Sequence, residues 1–277
     1  MITLMDLNYL VYFCLMMTFG SIWIHKSAWL WGSFLALSFS LAIYTGAVQL
    51  FSIVPLILLF LIFWILKNPI AGGKRHFLTI TAIAIAALLN YHWAPGFNNL
   101  KITSAFYLNF DKPLMGLFPL IFLVPVCQTR DDWIQVGLKA VPLTLLFIFG
   151  LMALGLGTGV IEWQLKLPTH FFLRIISNLF LTVIPEEGFF RGFLQKEISH
   201  QIGRGFFGKS VGIAGAALVF TLFHLTWTAS PAMLALVFVA GLIYGLVYEF
   251  SGKIEGSILC HFAVNVIHMF FFTYHAE

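Results

Sequence analysis

The chain has 277 residues, of which 60% are hydrophobic and 9% charged, with 31 Phe, 8 Trp, a mean hydropathy of +0.95 and a formal charge of +4. An ordinary soluble domain carries roughly 25% charged residues, and one of this length could not hide so much apolar surface in its core; a water-soluble enzyme, a disordered chain and a disulfide scaffold are all excluded. The cations flank apolar runs, a pattern that orients a membrane protein and does not suggest nucleic-acid binding.

A membrane-crossing helix needs about 20 apolar residues. Runs of this kind fall at 7–24, 28–45, 48–66, 77–93, 113–127, 136–157, 171–195, 210–228, 231–249 and 254–274. The fifth is short enough to be re-entrant. The expected fold is all-α, a polytopic transmembrane helix bundle of about 8–10 membrane helices. The first run opens with Asp6 and lacks a basic leader, so it reads as a retained span and not as a cleavable signal. Two regions are expected, residues 1–170 without a motif and 171–277 with a motif-bearing membrane core.

Eleven of the fifteen Lys and Arg gather on one side, among them Lys74, Arg75, Arg191, Lys196, Arg204 and Lys209, against Lys101, Lys112, Lys166 and Arg174 on the other. This bias makes the first side cytoplasmic and puts both termini outside. The expected location is a bacterial inner membrane, with the chain as an integral multi-pass protein. Residues 92–112 are polar between aromatics. They read as a long non-cytoplasmic loop, with a lid or substrate-contacting segment as the sharper alternative. No internal repeat supports a symmetric transporter.

Ionisable residues inside a span are costly, so each needs a reason. Glu186 and Glu187 follow Pro185 within the seventh run, and Arg191 lies one turn on. At helical spacing Glu187 and Arg191 share a face and can pair, while Glu186 points elsewhere. Two adjacent acids in different environments can take different acid–base roles; a helix-end salt bridge with a spare glutamate is the plainer reading. His224 stands alone among Phe, Leu and Trp in the eighth run and by itself reads first as a satisfied core histidine, with a catalytic role as the alternative. His261, Asn265 and His268 lie on one face of the last run, a stripe that fits inter-helix hydrogen bonding as well as catalysis. Cys14, Cys127 and Cys260 all lie in apolar runs with no CxxC pair, so they suggest neither a disulfide framework nor a cysteine metal site.

Taken in order, Glu186-Glu187-x-x-x-Arg191, Phe220-x-x-x-His224 and His261-x-x-x-Asn265 resemble the three signature motifs of the CPBP family, also called Abi, which contains CAAX prenyl-protein endopeptidases and bacteriocin-processing proteins. The resemblance covers roughly residues 171–275. It implies an intramembrane endopeptidase in which Glu186 activates a water, His224 holds and polarises it, and His261 with Asn265 binds the developing oxyanion. Glu187 and Arg191 would form a supporting ion pair. Peptide hydrolysis needs these parts: a general base, a positioned water and donors where negative charge develops.

No cofactor is expected. The alternative is zinc held by Glu186, His224 and His261 with an open water position, against which stand the missing HExxH helix and the presence of Asn265, an uncommon zinc ligand. The expected partners are the lipid bilayer and a protein or peptide substrate with a hydrophobic or lipid-anchored segment; no nucleic-acid motif appears, and oligomeric state is open. Two other functions compete: a non-catalytic family relative that binds a partner in an immunity or scaffold role, and a proton-coupled transporter. The first would predict eroded motifs, and the second does not require the FxxxH and HxxxN spacings.

Overall fold

The computed structural model describes residues 3–203 and 205–274. Arg204, counted above among the cytoplasmic cations, lies outside the described residues. The fold is all-α and polytopic. Its elements are α1 (Leu4–Ile24), α2 (Ala28–Tyr44), α3 (Ile53–Leu66), α4 (Gly72–Asn90), β1 (Leu100–Thr103), β2 (Phe106–Leu108), α5 (Leu114–Phe122), α6 (Arg130–Gly157), β3 (Ile161–Trp163), α7 (Phe171–Ser177), α8 (Ile184–Phe189), α9 (Lys196–Ile202), α10 (Phe206–Leu222), α11 (Pro231–Ser251), α12 (Ile254–Phe271) and β4 (Phe272–Tyr274). Four of these, α1, α6, α11 and α12, are long and apolar enough to cross a membrane; α2, the segment Leu50–Leu66 and α10 are shorter apolar helices.

Several runs differ from a single straight span. The fifth yields only α5, nine residues with Pro119 inside, about 14 Å at 1.5 Å per residue and too short to cross. The seventh is not one α-helix. It consists of α7, a π-helical stretch Asn178–Val183, α8 and a second π-helical stretch Phe190–Gln195. Angles drawn from uniform α-helical spacing therefore do not carry past Phe189. The eighth run leaves helix at Leu222 and the last at Phe271. Residues 92–112 are not a bare loop, since β1 and β2 pair antiparallel within them and Val48 bridges to Phe97.

The chain forms two compact units. The first comprises Met1–Val124 and Phe180–Phe189, the second Pro125–Leu179 and Phe190–Glu277. In the first, Thr3 and Asp6 form a capping box that opens α1, and α1 packs on α2 with the Ser38 hydroxyl donating to the Val11 carbonyl at 2.8 Å. Phe110 lies edge-on to Tyr12 and to Phe39, at 6.2 and 5.3 Å between ring centroids, so the residues leading into α5 are anchored in the aromatic core. Lys26 sends its ammonium to the carbonyls of Leu120 and Val124, capping the end of α5.

In the second unit, α6 begins at a capping box of Thr129 and Asp132 and packs against α11 and α12, while α10 packs against α9 and α11. Pro231 at the first position and Ser230 as cap start α11. Gly252, at φ +74°, ends it in the left-handed conformation that glycine adopts at little cost. β3 pairs antiparallel with β4, so the segment after α6 is stitched to the end of α12.

Candidate functional site

Glu186 and Glu187 sit on α8 in the first unit, and both are buried, at 2% and 0% exposure. They are there because α8 meets α5 with almost no space between backbones. A Cβ on Gly116 would lie 1.9 Å from the Pro185 carbonyl oxygen, and one on Gly188 would lie 2.9 Å from the Gly116 carbonyl oxygen. Only hydrogen at these two positions allows the approach. A carboxylate carried so deep needs a partner, and Glu186 has one the sequence did not reveal. Lys112, at the head of α5, places Nζ 2.6 Å from Glu186 Oε1.

The residues before Lys112 form a framework. Asp111, fully buried, takes a 2.7 Å contact at Oδ2 from His92 Nδ1 and a 2.9 Å hydrogen bond at Oδ1 from the Lys112 backbone N–H. His92 adopts φ +58° directly after α4 and its turn. Asn99 accepts at Oδ1 from the Phe110 N–H at 3.2 Å. The polar stretch 92–112 thus holds its own last residues in place.

Arg191, in the second unit, is 1% exposed. Its Nη2 donates to the Gly241 carbonyl at 2.9 Å, and its guanidinium carbon lies 5.0 Å from the Phe220 ring centroid and 5.5 Å from that of Tyr244, within cation–π range. Gln195 Nε2 likewise donates to the Gly245 carbonyl at 3.2 Å. The Gly241-x-x-x-Gly245 spacing on α11 makes room: a Cβ at 241 would meet Ala217 at 3.1 Å, and one at 245 would meet Gln195 Oε1 at 2.8 Å.

His224 lies just beyond α10, half-buried in the turn that follows it. Its Nδ1 is 2.7 Å from the Phe220 carbonyl oxygen. A carbonyl only accepts, so this nitrogen carries the proton, and in the neutral ring Nε2 holds the lone pair. Buried His261, on α12, stacks on Tyr244 with centroids 4.3 Å apart and planes 14° apart. Phe220 touches both histidines, at 4.4 Å from His224 and 5.8 Å from His261. Asn265, one turn along α12, donates from Nδ2 to Asn178 Oδ1 at 3.4 Å. His268 stacks on Phe272, at 6.3 Å between centroids.

The second unit thus gathers Arg191, His224 and His261 around Phe220 and Tyr244. The first unit presents Glu186 with Lys112. Sequence reasoning missed Lys112, Tyr244 and Asn178. Tyr244 had a signal in the paired glycines that flank it, whereas Lys112 looked like any loop cation. Among the described residues no group of three His, Cys, Asp or Glu side chains that could hold a metal occurs. Glu186 Oε1 is engaged by an ammonium, a poor neighbour for a dication.

These features define a helical integral membrane protein with buried Glu, Arg and His residues in an ordered motif set. Residues 168–267 match the model of a family described as "Rce1-like: Type II CAAX prenyl endopeptidase Rce1-like". The resemblance to the CPBP family holds over that segment, which contains all of the motif residues named above. No curated protein and no solved structure matches the chain.

Proposed function

We propose that the protein is an intramembrane endopeptidase that hydrolyses a peptide bond near the membrane surface, in a substrate with a hydrophobic or lipid-anchored segment. The observation that carries this reading is the match of residues 168–267 to a family of CAAX-type endopeptidases, with the three motifs intact within it. Glu186 is the general base that takes a proton from a water as its oxygen attacks the scissile carbonyl carbon. His224, with its lone pair on Nε2, accepts from that water and orients it. His261 and Asn265 donate to the carbonyl oxygen as it becomes an oxyanion, which is where donors lower a hydrolytic barrier most. Glu186 then passes its proton to the leaving amine. Glu187 and Arg191 take the role of a supporting ion pair on this reading.

The reaction runs without a metal on this reading. The ammonium at Glu186 and the amide of Asn265 both favour acid–base chemistry over ligation. The test is cleavage in reconstituted membranes by wild type, Glu186→Ala and His224→Ala, each with and without a strong zinc chelator. Loss of cleavage in both variants and full activity under chelator is expected. Activity lost under chelator and restored by zinc would return the metal mechanism, and two fully active variants would overturn the site.

A further inference from the structure

Lys112 and Glu186 are far apart in the sequence, and no motif links them. We infer that Lys112 is a positioning residue for Glu186: its ammonium holds Oε1 and the carboxylate charge, so that Oε2 is the oxygen that receives the proton of the attacking water. This inference rests on the function proposed above and adds a residue to its machinery.

Three observations carry it. The first is burial. The Glu186 side chain is 3% exposed and that of Lys112 19%, with 2.6 Å between the charged atoms. A carboxylate removed from water to that degree is stable as an ion only with a close cation or several hydrogen-bond donors.

The second is how Lys112 is delivered. Its backbone N–H is bonded to buried Asp111, Asp111 is gripped by His92, and Phe110 is bonded by Asn99 and packed into the aromatic core. Its carbonyl then accepts from Met115 N–H in the first turn of α5. A lysine on an ordinary loop has no such fixing on both sides.

The third is the close approach of α5 and α8 at Gly116 and Gly188. It sets the distance between the helix that carries the lysine and the helix that carries the glutamate.

The chemistry follows from the two oxygens of a carboxylate. With Oε1 bound to the ammonium, the side chain cannot rotate freely. Oε2 accepts the proton while the water oxygen bonds to the carbonyl carbon and the carbonyl π pair moves to oxygen. When the tetrahedral intermediate collapses, the C–N bond breaks, the Oε2 proton goes to the leaving nitrogen, and the Lys112–Glu186 pair is restored. Lys112 gains and loses no proton.

The experiment compares steady-state cleavage in proteoliposomes by wild type, Lys112→Met, Lys112→Arg, Lys112→Ala with and without methylammonium, and Glu186→Gln, with thermal unfolding of each as control. Lys112→Met should lower kcat by at least about 10-fold with KM within about 2-fold, as for a group that acts only on the chemical step. Lys112→Arg should recover part of the loss. Methylammonium should accelerate Lys112→Ala saturably and leave wild type unchanged, a rescue that a merely structural lysine would not give. Active wild type with inactive Glu186→Gln and an unimpaired Lys112→Met would overturn this inference alone. So would a slow Lys112→Ala that neither methylammonium nor the Arg substitution helps. A wild type that cleaves nothing would remove the proposed function, and this inference with it.

Discussion

Two lysine–carboxylate pairs, one in each unit, show how differently the same chemistry is used. Lys112–Glu186 has a nearly inaccessible carboxylate, a 2.6 Å separation and a backbone built around each partner. Lys253–Asp132 lies between α11 and α12 on one side and the first turn of α6 on the other, at 3.1 Å, with its side chains 27% and 28% exposed. Water reaches the second pair and screens it, so its charges act weakly. It belongs to a junction in which the Cys127 N–H donates to buried Glu255 at 2.6 Å, tying the segment before α6 to the start of α12. Burial, more than composition, separates the pair we assign to chemistry from one that fastens helices.

The largest effect that would sharpen this contrast is Glu186→Gln, expected to lower cleavage by about 10²–10⁴-fold without unfolding the protein, as read by peptide release against a melting control. Lys112→Met follows, at least about 10-fold in kcat. Gly116→Val forces α5 from α8 and should destabilise the protein by about 1–3 kcal/mol, measured by denaturant unfolding in detergent, with activity falling in parallel. An unaffected Gly116→Val would break the claim that backbone contact sets the site.

In the second unit, Glu255→Ala leaves the buried Cys127 N–H without its acceptor and should cost about 1–3 kcal/mol, with kcat/KM per folded molecule unchanged. Lys253→Ala should do least, shifting the melting temperature by about 2 °C or less. Its hydrogen bond to Asp132 pushes the Lys253 ammonium above the ordinary lysine value of 10.5. A cation raised in the folded state contributes in full below that ordinary value and loses its contribution as pH rises through the higher folded one. The small difference between wild type and Lys253→Ala should therefore persist at neutral pH and vanish in strong alkali. A large effect at neutral pH would contradict the comparison.

The sequence made the helical membrane class and the motif residues legible for different reasons. Apolar runs of the right length mark membrane helices by themselves. Glu186, Glu187, Arg191, His224, His261 and Asn265 stand out because ionisable and amide groups are conspicuous in such runs. The π-helical stretches on both sides of α8 were not legible, since hydropathy does not distinguish i→i+4 from i→i+5 bonding; such stretches are common at functional sites. His224 read as a helical residue because Phe223 and Leu225 are apolar, yet the helix ends at Leu222. The hairpin within 92–112 was hidden by its mixed composition, and with it the role of Lys112. Pairing between positions so far apart leaves no periodic trace in a single sequence.

Whether Glu186 drives peptide hydrolysis is settled by mass spectrometry of the products after proteoliposomes of wild type and Glu186→Gln are incubated with membrane-anchored peptides, prenylated and unprenylated, in the presence of a zinc chelator. Wild type should yield a discrete cleavage product from at least one anchored peptide and Glu186→Gln none. Equal products from both proteins, or none from wild type while a CAAX-type endopeptidase cuts the same peptides, would contradict that role for Glu186.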